Sequence, residues 1–140
     1  MKAKLLLRIA AVLMLLHAIG HTMGALGWKK APNNSIAQVI SGMQNNHFNF
    51  MGSSCSIAGF YEGYGLSMIL VLLFVSILLW LLSASLVKPL LMLTGLFLVG
   101  LAAVEFIYFF PFAAAFSLAA GLGTLTALKR DKESTRSGAS

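Results

Sequence analysis

Two histidines stand one helical turn apart in an apolar stretch, His17-Ala18-Ile19-Gly20-His21-Thr22-Met23-Gly24. On a helix, the spacing i, i+3, i+4, i+7 places His17, Gly20, His21 and Gly24 on one face. Two imidazoles on one face, joined by carboxylates from other helices, could hold a divalent metal such as Zn²⁺ or Fe²⁺. The chain supplies two carboxylates away from its polar end, Glu62 and Glu105. The set departs from the H-E-x-x-H pattern, having no Glu between the histidines, and the single cysteine, Cys55, offers no thiolate pair. A haem would need axial ligands on opposite faces, which two histidines one turn apart do not supply.

The same residues suit other chemistry. Histidine titrates near neutrality, and with a buried carboxyl it could bind or pass a proton. It could equally hold the head of a lipophilic ligand such as a quinone or lipid. Tyr61 and His47 stand in a connecting segment as lids for such a site, and Phe106, Tyr108, Phe109 and Phe110 as walls or as an interfacial belt. Against these stands a structural reading in which a polar clamp fixes helix register. Its pairs would be His21 with Glu105, or His17 with Ser117 or Thr124. Gly20 and Gly24 form a G-x-x-x-G pair that lets a second helix approach closely.

The elements that must position these residues follow from composition. Of 140 residues, 59% are hydrophobic and 10% charged. A soluble domain carries about 25% charged residues, so an ordinary soluble globule and a disordered chain are both excluded. The net charge of +6 raises the question of nucleic acid, but the basic residues sit at chain ends and turns rather than in a stripe. No nucleic-acid partner is expected. The expected partner is the lipid bilayer.

A membrane span needs about 20 apolar residues. Spans are expected over about 5–28, 65–87, 89–110 and 112–128, with Pro89 and Pro111 opening the last two. Short links make the last three sequential antiparallel neighbours. The fold class is therefore all-α: an integral membrane, up-down four-helix transmembrane bundle in one domain, 1–130. A disordered cytoplasmic tail is expected over 131–140. Met1–Leu16 also resembles the start of a secretory signal, but the apolar run continues to Trp28 without a small-x-small site, which favours a retained helix.

Lys2, Lys4, Arg8, Lys88, Lys129, Arg130, Lys132 and Arg136 fall on one side of these spans, and only Lys29 and Lys30 on the other. The positive-inside rule then places both termini in the cytoplasm and the long segment 29–64 outside the inner (plasma) membrane. Within that segment Ile36, Val39, Ile40 and Met43 recur at helical spacing after Ser35, predicting a short amphipathic helix capped by Ser35. Gly63 and Gly65 permit a bend or a close approach at the entry to the second span.

Counting 1.5 Å per residue puts His17 near the bilayer midplane, with His21 one turn further out. His21, Glu62 and Glu105 are then expected at one level in the outer leaflet. Glu105 shares a face with Gly95, Leu98 and Ala102, and Ala113, Ser117 and Gly121 form a close-packing face on the last span.

The stretch from His17 to Gly24, with Phe60-Tyr61-Glu62-Gly63-Tyr64-Gly65, resembles a group of small uncharacterised bacterial four-helix membrane proteins. The overall plan is similar to the DoxX-like class in architecture only. The resemblance implies the fold and a bacterial membrane, and brings no reaction with it. The expected function is a small inner-membrane protein with a His/Glu polar site. His17, His21, Glu62, Glu105 and Tyr61 would bind a lipophilic ligand, a proton or a metal ion. The alternative is a non-catalytic accessory or assembly subunit, or a homo-oligomer, docking through Gly20 and Gly24. Whether there is enzymatic activity stays open on the sequence.

Overall fold

A computed structural model describes residues 2–137, with side chains described over 3–130. The element order is α1 (Lys2–Gly27), α2 (Asn34–Asn45), β1 (His47–Phe50), β2 (Ser53–Ser56), α3 (Ile57–Leu82), α4 (Lys88–Tyr108) and α5 (Pro111–Ser137). Among the described residues four helices are long and apolar enough to cross a membrane: Ala3–Gly27, Ile57–Leu82, Lys88–Tyr108 and Pro111–Arg130. The expected number of spans holds, and so does the predominantly helical class.

The largest shift in bounds is in α3. It starts at Ile57 rather than 65, and its first turn is capped, with the Gly59 N–H donating to Ser56 Oγ at 3.1 Å. Gly63 and Gly65 therefore lie inside a continuous helix. The helix ends at Leu82 because Ser83 turns its hydroxyl onto the Trp80 carbonyl, 2.7 Å away, and Ala84 N closes a tighter turn on Leu81 O. Residues 83–87 form the link, and α4 follows with proline in its first turn. Pro111 opens α5 as expected. α5 runs on past Asp131, where a tail was expected, since neither glycine nor proline interrupts the sequence before Gly138. Residues 138–140 lie outside the described residues.

The chain divides into two compact units, one of Met1–Ala18 with Leu72–Ser140, the other of Ile19–Val71. The first unit packs α1 up to Ala18, α3 from Leu72, and all of α4 and α5. Leu7, Met14, Leu72, Leu79, Leu91 and Leu98 are its fully buried large side chains. α4 and α5 approach most closely at two glycines. A β-carbon at Gly121 would stand 3.1 Å from Leu98 Cβ and 3.2 Å from the Gly95 carbonyl, while one at Gly95 would meet Leu125 Cδ2 at 2.6 Å. Partners rise along α4 as they fall along α5, so the two helices are antiparallel. The same logic makes α1 and α3 antiparallel, since Arg8 stacks on Trp80 at 5.0 Å and Ser76 Oγ donates to Ala11 O at 2.8 Å. Small residues between α4 and α5 let the two helix backbones approach closely.

The second unit holds the end of α1, α2, the hairpin and the start of α3. α2 is capped by Asn33, whose Oδ1 accepts from Ile36 N at 3.0 Å, rather than by Ser35. The two-stranded antiparallel sheet was not expected. Its register runs from His47 opposite Ser56 to Phe50 opposite Ser53. Met51 and Gly52 form the two-residue turn, both at positive φ (52° and 85°), as a type I′ turn requires. Alternation along β1 sends Phe48 and Phe50 to one face, where both meet Phe60 at 6.1 and 5.8 Å.

Candidate functional site

The polar centre of the first unit is built from three helices. α1 brings His17, α4 brings Glu105 in its last turns, and α5 brings Ser117 from the face it shares with Ala113 and Gly121. All three side chains are buried, with residue exposures of 6%, 5% and 0%. His17 faces both of the others. Its Nε2 is 3.5 Å from Glu105 Oε1, and its Nδ1 is 3.2 Å from Ser117 Oγ. Phe116, one residue before the serine, tilts against the imidazole with ring centres 5.9 Å apart. The histidine ring is thus held at both nitrogens and on one side.

The second carboxyl oxygen differs. Glu105 Oε2 is buried and has no hydrogen-bond partner among the described residues. A charge or polar atom so placed costs free energy unless something pairs with it or neutralises it. The geometry admits two complementary hydrogen-bonding states that differ by one proton. In one, Ser117 donates to Nδ1 and the Nε2–H donates to the carboxylate. In the other, a protonated Glu105 donates to Nε2, and the Nδ1–H donates to Ser117 Oγ.

Several expected placements change. His17, not His21, meets Glu105. α1 belongs to this unit only as far as Ala18, and His21 falls in the other. His21 accordingly lies 3.3 Å through Nε2 from the Gly65 carbonyl, and Gly65 is itself close to Ala25, 3.3 Å from a built β-carbon. Glu62 pairs with Lys29 in the second unit, where both side chains are about half exposed. Tyr61 tilts against Trp28 with ring centroids 5.0 Å apart. His47 Nδ1 lies 3.1 Å from the Asn45 carbonyl on the exposed edge of the hairpin. Thr124, the other hydroxyl considered for His17, donates to the Ala120 carbonyl in its own helix. No three His, Cys, Asp or Glu side chains gather as a metal site would require among the described residues. Of the four named metal ligands, the structure brings only His17 and Glu105 together.

Gly20 and Gly24 do not pack within the chain. A β-carbon on either would meet nothing within 4 Å. Gly95 and Gly121, by contrast, lie where α4 and α5 approach closely. Of the two hydroxyls named for His17 from the sequence, Ser117 is the one that meets it, whereas Phe116 carried no distinguishing signal.

No family model, curated protein or solved structure matches the chain.

Proposed function

We propose that this chain is a four-helix integral protein of a bacterial inner (plasma) membrane, with both termini cytoplasmic, whose bundle carries a proton-binding site made of His17, Glu105 and Ser117. The observation that carries the reading is the buried Glu105 Oε2, which has no hydrogen-bond partner among the described residues while Oε1 faces the imidazole. A proton taken up at Oε1 neutralises the carboxyl and so lessens the cost of leaving Oε2 buried without a partner. It also obliges the histidine to change tautomer, because Nε2 then faces a donor instead of an acceptor. Proton uptake and a rearranged hydrogen bond to α5 are therefore one event. A lipophilic ligand bearing a hydroxyl, such as a quinol, would use the same acceptor. The orientation rests on eight of ten cations falling on one side of the spans.

Nitrogen-15 NMR of histidine-labelled protein in lipid bicelles tests this. The His17 pair of ring signals is expected to switch tautomer between mildly acidic and mildly alkaline pH. An infrared carboxyl band lost in Glu105→Gln should titrate in step. A His17 pattern and a Glu105 band that both stay unchanged across that range would remove the proposal. Mass spectrometry of lipid extracts from wild type and Glu105→Gln separates the proton from a bound quinol.

A second reading, an accessory subunit, is favoured by the open space in front of Gly20 and Gly24. It predicts a partner helix on that face and no titration of His17.

A further inference from the structure

The segment between α1 and α3 has an unusual composition. From Ala31 to Tyr61 there is no Asp, Glu, Lys or Arg. A water-facing stretch of that length would carry several charges at ordinary surface composition, about one residue in four. The segment is polar all the same, through Asn, Ser and Gln. Its composition fits a medium between water and hydrocarbon.

Its shape fits too. α2 buries none of its residues. Ile36, Val39, Ile40 and Met43 form one stripe along it, with Gln38, Ser41 and Asn45 opposite. Ile36 and Val39 are exposed, so the stripe is only partly covered by the protein. At the hairpin tip, Met51 holds a left-handed backbone conformation, φ 52°, that disfavours a side chain other than Gly, Asn or Asp. It is also 91% exposed. An apolar side chain here is unfavourable in its backbone and, in water, in its surroundings as well. Strain of this kind marks positions kept for function. Phe50 beside it is exposed as well.

Both ends of the segment are tied to helices read as membrane spans. Residues 28–33 lead from α1, β2 runs directly into α3, and Trp28 packs at a tilt against Tyr61. Aromatic pairs of this type suit the headgroup level. The segment therefore has little chain with which to leave the surface.

We infer that α2 and the hairpin tip form a neutral membrane-surface anchor, with Ile36, Val39 and Met51 seated in the lipid interface. The inference rests on the membrane reading of the helices given above. Most interfacial helices use a cationic face to hold anionic lipid, and this one has none. Attachment is thus apolar, and indifferent to lipid charge and salt.

Site-directed spin labelling tests it in a Cys55→Ser background reconstituted in phosphatidylcholine vesicles. Labels are placed by Val39→Cys, Met51→Cys and Gln38→Cys, with Leu96→Cys on the exposed face of α4 as the depth reference. Relaxation by oxygen relative to a water-soluble nickel chelate is expected to be higher at 39 and 51 than at 38, and highest at 96. Adding phosphatidylglycerol or salt should leave the order unchanged. Nickel access at 39 and 51 equal to that at 38 overturns the anchor while 96 still reports the bilayer. Labels at 39 and 51 closed to both reagents overturn it in favour of a second protein surface. Nickel access at 96 overturns the membrane reading itself.

Discussion

His17 and Glu105 face each other at 3.5 Å, Nε2 to Oε1, from helices far apart in the chain. Polar contacts between helices in lipid average about 0.6 kcal/mol and reach about 1.7. A double-mutant cycle with His17→Phe and Glu105→Gln, read by unfolding in mixed micelles, should return a coupling energy in that range. It is too small to explain why two ionisable groups are kept inside an apolar bundle. A coupling indistinguishable from zero would show that the pair is not formed in lipid.

Ser117→Ala should act on the ring rather than on the fold. Loss of one buried hydrogen bond costs about 0.5–1.5 kcal/mol. The His17 Nδ1 signal should move well beyond Nε2, since the hydroxyl is 3.2 Å from Nδ1. Equal movement of both nitrogens would indicate that the serine holds the helix and not the imidazole.

Glu62→Gln is expected to be nearly silent. Its partner Lys29 and the carboxylate itself are both substantially exposed, at 51% and 41%, and such pairs contribute about 0–1 kcal/mol. The His17 spectrum and its pH response should match wild type. A changed titration would place Glu62 electrically near the buried site, as the spacing alone suggested.

Two glycine pairs should behave oppositely. Gly121→Val drives a branched side chain against Leu98 and the Gly95 carbonyl, and overpacking of this sort costs about 1–3 kcal/mol. Gly20→Ala with Gly24→Ala meets open space and should leave monomer stability unchanged or slightly improved in unfolding assays. A marked loss in the second variant, dependent on protein concentration, would reveal another chain on that face.

Much of this was readable beforehand, and the exceptions share a cause. Hydropathy and the two prolines delimit α4 and α5 because length in an apolar solvent is a strong constraint. The small-residue faces carrying Glu105 and Ser117 follow from helical period alone. Which histidine meets Glu105 does not. Periodicity along one helix carries no information about which residues of other helices lie opposite it. The hairpin was missed for another reason. His47 to Phe50 alternates polar and aromatic residues, and Gly52 is the proper second turn residue, but Met51 gives no turn signal. Glu62 was grouped with the buried residues by counting residues along the chain, which gives no sign that Lys29 pairs with it.

The separation of His17 from Ser117, 100 positions along the chain, bears on biogenesis. A chain inserted from its first span onward would deliver the imidazole to the bilayer before Glu105 and Ser117 have been synthesised. The α4–α5 helical hairpin, joined by two residues and interlocked at Gly95 and Gly121, would arrive last and complete the centre in one docking step. Products truncated before α5 would then expose a polar surface within the bilayer, a mark by which membrane quality control could recognise them.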